Sequence, residues 1–122
     1  MNEKLEIKED PRGRFVEILK VPGLGQISYS TTKPGITRGN HYHTRKQEKF
    51  CVIEGQAKIC LRNRQTQETK EYLVSGKAPE IVDMTVGWTH NIKNIGETEM
   101  KLLIFVNEIF NPQDPDTYSE EV

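Results

Sequence analysis

The chain has 122 residues, of which 34% are hydrophobic and 29% charged, with a net charge of −1 and a sequence pI near 6.3. That length supports one domain, residues 1–122, with one modest core, and the near-neutral charge gives no electrostatic reason for a nucleic-acid or anionic-membrane partner. No apolar run is long enough to span a bilayer, and the start, Met1 to Asp10, lacks the apolar segment of a secretion signal, so a cytoplasmic setting is expected.

Apolar residues alternate or run in short blocks, and turn residues interrupt them regularly, the pattern of an all-β sandwich or barrel. Leu5–Ile7 reads as a short first strand, ended by the turn Glu9-Asp-Pro-Arg-Gly13. Phe15–Leu19 and Gln26–Thr32 follow, separated by Val21-Pro-Gly-Leu-Gly25, and Lys33-Pro34-Gly35 turns the chain into Ile36–His43. Glu48–Ile53 and Gln56–Arg62 read as a hairpin closed at Glu54-Gly55, with Glu48, Phe50 and Val52 on the inward face beside Ala57, Ile59 and Leu61. In that register Cys51 faces Lys58 and Cys60 faces Lys49, so no disulfide is predicted. Thr69–Ser75, Glu80–Met84, Trp88–Asn94 and Glu99–Val106 complete the strands, with Ile95–Thr98 as a hairpin turn and Glu99–Val106 as a central strand. Residues 111–122, rich in proline and acids, read as a surface or partner-contacting tail that builds no core.

His41 and His43, two residues apart, share one face of an extended strand at about 7 Å spacing. Glu48 follows among inward apolar residues, and a buried carboxylate needs a partner. His90 is the remaining histidine of the chain. Three imidazoles and a carboxylate suit a divalent transition metal, Zn, Fe, Mn, Ni or Cu. Taken singly, a His-x-His pair is also a surface-strand feature and a lone histidine a structural one.

The spacing of Gly35, His41, His43, Glu48 and Gly55 matches every defined position of the first cupin motif. Gly87, His90 and Asn94 match the latter half of the second motif, with Thr85 where proline is usual. The chain therefore resembles the cupin superfamily, which implies an antiparallel β-sandwich or jelly-roll barrel with His41, His43, Glu48 and His90 as metal ligands. The segments Asp10-Pro-Arg12-Gly13-Arg-Phe15-Val-Glu17, Gln26 and Arg38-Gly39-Asn-His41-Tyr42 are similar to nucleotide-sugar epimerases of the dTDP-4-dehydrorhamnose 3,5-epimerase type. That resemblance implies that Arg12 and Arg38 grip a diphosphate, a task suited to the planar guanidinium, and that Phe15, Glu17 and Gln26 line the nucleotide end. The departure is at His43 and Glu48, where those metal-free enzymes carry glutamine and lysine.

A resemblance over nearly the whole chain, in Tyr29-Ser30, Lys33 to His43, Glu48-Lys-Phe50 and Asn107 to Tyr118, is to the C-terminal zinc cupin of CapF-type capsule-synthesis enzymes. It implies C3 epimerisation of a UDP-linked 4-keto-6-deoxy-N-acetylhexosamine for surface polysaccharide, with a short-chain reductase as a partner, separate or fused. A C3 proton beside a C4 ketone is removable where the enolate oxygen is stabilised. His41, Tyr29, Lys101 and Lys46 are the candidates for moving it; Tyr42 alternates away from the histidine face. Two other readings stand beside this one: a dTDP-sugar 3,4-ketoisomerase, and a non-catalytic cupin that binds a sugar nucleotide. A homodimer through edge strands is expected.

Overall fold

The structure, a computed structural model, describes residues 1–122. In chain order the strands are β1 (Lys8–Asp10), β2 (Gly13–Val21), β3 (Gly25–Thr32), β4 (Thr37–Tyr42), β5 (Glu48–Glu54), β6 (Gln56–Asn63), β7 (Thr69–Ser75), β8 (Val82–Met84), β9 (Trp88–Asn94), β10 (Met100–Val106) and β11 (Tyr118–Ser119). All pairings are antiparallel. A six-stranded sheet runs β1-β2-β3-β10-β5-β8 and a five-stranded sheet β11-β4-β9-β6-β7. Their inward residues, among them Val52, Met84 and Leu102 from the first and Ile59, Leu61 and Ile92 from the second, form one core. This is the all-β cupin sandwich that the sequence pattern implies.

Several segments differ from expectation. The Glu54-Gly55 turn does not close a hairpin: β5 pairs with β10 and β8, while β6 pairs with β9 and β7. Alternation tells which side chains face inward but not which strand lies alongside. Ala57, Ile59 and Leu61 therefore meet Phe50 and Val52 from the opposite sheet. Gly55 makes the crossing with φ +90°, and a Cβ there would sit 3.1 Å from Met100 Cα.

The Ile95–Thr98 segment is likewise a crossing, from β9 to β10. Asn94 builds it: its side-chain amide donates to the carbonyls of Thr32 and Thr98, both at 2.8 Å, and its Oδ1 accepts from Gly96 N–H at 2.9 Å. The asparagine of the second motif is thus a structural clamp. At the N-terminus, pairing begins at Lys8 rather than at Leu5, because the Pro11-Arg12 turn sets Asp10 against Gly13 and Lys8 against Phe15.

The acid-rich tail differs as well. It folds back so that Tyr118 and Ser119 pair with Tyr42 and His41 of β4. Its acids meet local donors: Arg45 reaches Glu108 and Asp114, Arg64 reaches Glu120, and Arg64 also stacks at 3.7 Å on the Tyr42 ring that packs on Tyr118. Cys51 and Cys60 lie in different sheets and are free, as expected though not in the expected register.

Candidate metal centre

β4 carries His41 by way of a defect in its pairing. Gly39 opposes Asn91 and His41 opposes His90, so Asn40 is an extra residue, a β-bulge. Both bulge residues are left-handed, Gly39 at φ +93° and Asn40 at φ +57°, conformations open to glycine and tolerated by asparagine. Residues three apart ordinarily point to opposite faces of a strand. The extra residue returns Arg38 and His41 to the same one: Arg38 falls in the inward row with Ile92 and Ile59, and His41 in the inward row with His90 and Leu61. Tyr42 points outward, onto Tyr118, and His43 turns inward again just past the strand end.

Glu48, at the start of β5, comes from the facing sheet. The ligand atoms of His41, His43, Glu48 and His90 all lie within 4.8 Å of one another. His43 Nε2 is 2.7 Å from Glu48 Oε1, and the rings of His41 and His90 sit edge to face at 4.7 Å. His90 is 1% exposed, and both of its nitrogens are buried without a hydrogen-bond partner; Nε2 lies 3.4 Å from Glu48 Oε1 but out of line. An unsatisfied buried nitrogen costs about 1–3 kcal/mol, a cost that a cation at this point removes. Orphaned nitrogens and a three-imidazole, one-carboxylate donor set fit a divalent transition metal.

The electrostatics differ from one residue of the cluster to the next. Burial, then the neighbouring His90 and His43, holds His41 down to about 4, neutral and able to ligate. For Glu48 burial works upward, but the imidazoles of His43 and His90 hold its carboxyl well below the usual range. Burial lowers His43, yet its bond to Glu48 outweighs this and raises it. The second nitrogen of His43, Nδ1, lies 2.6 Å from the Asp116 carbonyl.

Beside the cluster opens a cavity of about 430 Å³ lined by His41, Glu48 and His90 together with Arg12, Phe15 and Arg38. Arg38 is half-buried, and burial followed by repulsion from Arg12 lowers its pKa. Its Nε donates to Thr32 Oγ1 and its Nη2 to the carbonyls of Thr31 at 2.9 Å and Arg14 at 3.5 Å, which leaves Nη1 for a ligand. Arg12 is exposed and paired with Asp10, Nη2 to Oδ2 at 2.7 Å; that side-chain bond holds Asp10 at about 2. Two guanidinium groups that repel across a cavity mouth are the arrangement that an anion between them relieves.

An adjoining cavity of about 210 Å³ shares Phe15 and Glu48 and adds Glu17, Gln26, Ser28 and Lys46. The Gln26 side chain is committed within the fold: it donates to Glu17 and Ser28 and accepts from Phe110 N–H. Lys46, 6% exposed, extends its ammonium over the Phe110 ring at 5.4 Å.

Tyr29 and Lys101 are not brought to the cluster. Ser28 and Ser30 of β3 and Leu102 and Ile104 of β10 face the cavities, so alternation turns Tyr29 and Lys101 to the outer face, where Lys101 pairs with Glu54 at 2.9 Å. Two residues, one in the cavity and one behind the cluster, escaped the sequence reading. Ser30 Oγ is buried without a partner, and a serine in a strand carries no signal of this. Asp116 lies in a tail whose composition reads as solvated.

Residues 8–118 match the family model described as polysaccharide biosynthesis C-terminal domain. The chain is 47% identical over 110 residues to UDP-2-acetamido-2,6-beta-L-arabino-hexul-4-ose reductase of Pseudomonas aeruginosa, a match covering 90% of this chain and 30% of that protein. It is 27% identical to the spore coat polysaccharide biosynthesis protein SpsL of Bacillus subtilis, over 93% of this chain and 82% of SpsL. Among solved structures, the capsular polysaccharide assembling protein CapF of Staphylococcus aureus superposes with a TM-score of 0.95 at 48% identity, over 99% of this chain and 35% of CapF. The chain thus spans about a third of the length of the reductase and of CapF. A match that runs unbroken from β1 to β11 leaves only the two ends outside it, and the chain belongs to the polysaccharide biosynthesis C-terminal domain family.

Proposed function

We propose that this domain holds a divalent transition metal, by preference zinc, on His41, His43, Glu48 and His90, and epimerises C3 of a UDP-linked 4-keto-6-deoxy-N-acetylhexosamine for surface polysaccharide. The observation that carries this is the sharing of one cavity by the ligand cluster and the Arg12–Arg38 pair. A diphosphate between the guanidiniums would lay the attached sugar toward His41 and Glu48. Phe15, at the junction of the two cavities, offers a ring face to it.

A bound cation would supply Lewis-acid stabilisation for the charge that develops on the C4 oxygen as the C3 proton leaves. Of the residues considered for moving that proton, His41 and Lys46 line the cavities. The names of two relatives support the substrate class: one is a reductase of a UDP-linked hexul-4-ose, the other a capsular polysaccharide assembling protein. A reductase of that class is the partner that would consume the epimerised ketone.

The test is solvent deuterium incorporation at C3 of the 4-keto substrate, followed by NMR with zinc-loaded protein. Uptake is expected. A carbonyl that migrates to C3 would instead mark a ketoisomerase on a dTDP-sugar. Binding of the sugar nucleotide without exchange would mark a non-catalytic binder, a reading favoured by one observation, the outward orientation of Tyr29 and Lys101.

The expected homodimer finds support in the outer face of the six-stranded sheet more than in its edges. Val16, Tyr29, Leu103 and Cys51 stand in one cross-strand row there, with Leu19, Ile27 and Phe105 in another. A monomer mass in light scattering would exclude it.

A further inference from the structure

We propose that Asp116 is the positioning residue of the metal centre: its main chain selects the nitrogen of His43 that is left for the metal, and its side chain fixes the loop that carries His43 to Glu48. The inference rests on the metal reading above and goes beyond it, because it assigns a task to the tail.

Thr44 to Gln47 lie between β4 and β5, so no strand ladder holds their backbone groups. Asp116 takes that place. Its Oδ1 accepts from Thr44 Oγ1 at 2.5 Å and Thr44 N–H at 3.0 Å; its Oδ2 accepts from Arg45 N–H at 2.8 Å and Lys46 N–H at 2.9 Å. Three successive N–H groups closing on one carboxylate form a nest. The residue is 2% exposed and adopts φ +49°, a left-handed conformation that aspartate tolerates.

The same residue turns its carbonyl to His43 Nδ1 at 2.6 Å. A carbonyl only accepts, so Nδ1 carries the hydrogen. The lone pair of a neutral His43 is then on Nε2, the atom that lies among His41, His90 and Glu48. Main chain and side chain together set the tautomer, the ring orientation and the path of the loop. Partners of this kind behind a ligating histidine are worth about 10–100-fold in metal affinity.

The experiment measures zinc affinity by competition with a chromophoric chelator for the wild-type chain and for Asp116→Ala, Asp116→Asn and Thr44→Val, with far-UV circular dichroism of each metal-free form. The wild type is expected to bind one equivalent. Asp116→Ala should bind about 10–100-fold more weakly with its β spectrum intact. Asp116→Asn, which keeps one acceptor oxygen, should fall between the two, and Thr44→Val should lose roughly 10-fold or less. Imidazole ¹⁵N NMR of the zinc-loaded wild type should find His43 protonated at Nδ1.

Wild-type affinity in Asp116→Ala, or zinc on Nδ1 of His43, would overturn the assignment. Failure of the wild type to bind zinc would overturn the metal reading itself and this inference with it. Should Asp116→Ala lose its β spectrum, the affinities of Asp116→Asn and Thr44→Val decide the matter.

Discussion

His90 shows at single-residue scale what a site of this kind takes from the fold. Its ring is buried against Phe50 with neither nitrogen hydrogen-bonded, so the metal-free chain carries an unsatisfied polar group in its core. Replacing it with leucine, similar in volume and apolar, is expected to stabilise the metal-free chain by about 1 kcal/mol, seen as a melting temperature roughly 4 °C higher. The same variant should bind no stoichiometric zinc. A lower melting temperature in the metal-free state would mean that the imidazole contributes to the fold in its own right. The cluster of His41, His43, Glu48 and His90 was legible in the sequence because all four fall on the spacing of the cupin motifs. Ser30 and Asp116 were not, since their roles depend on what the far side of the cavity or the returning tail brings within reach.

At the scale of elements, alternation located most strands and their inward faces. It could not distinguish a hairpin from a crossing at Glu54-Gly55, because apolar positions on two strands look alike whether the strands are neighbours or face each other across a core. Nor could it register the bulge: by simple counting Arg38 and His41 fall on opposite faces. Deleting Asn40 leaves Arg38 and His41 two positions apart in a regular ladder, both still on the inward face. UDP affinity measured by calorimetry and zinc binding are therefore both expected to be retained, and a loss of UDP affinity alone would mean that the bulge itself aims Arg38. Equal loss of both would mean that the deletion unfolds the strand. For β11, the Thr89 hydroxyl and then Arg64 hold Glu120 below the usual carboxylate range. A depressed carboxylate stabilises the folded form above its unfolded pKa and loses that contribution as pH falls through the folded value. The Glu120 amide, bonded to the Asn40 carbonyl at 2.9 Å, should therefore exchange faster with deuterium as pH drops below about 4.5, relative to core amides at the same pH. An unchanged ratio would count against the clamp.

For the whole molecule, the relevant fact is that the ligands come from both sheets: His41 and His90 from the five-stranded one, Glu48 from the six-stranded one. A cation shared between them ties the sandwich shut, and its binding free energy adds to folding. At zinc about 1,000-fold above its dissociation constant this amounts to about 4 kcal/mol, so chelation should lower the melting temperature by several degrees or more. No change on chelation would show that the ion, if bound, links nothing. The crossings at Glu54-Gly55 and at Asn94–Thr98 give this a further consequence. No hairpin of the chain contains all four residues; only the closed sandwich brings them together. Zinc held there would therefore report global closure, and a zinc-release dye would read out the loss of fold caused by a substitution anywhere in either sheet, without a probe placed near it.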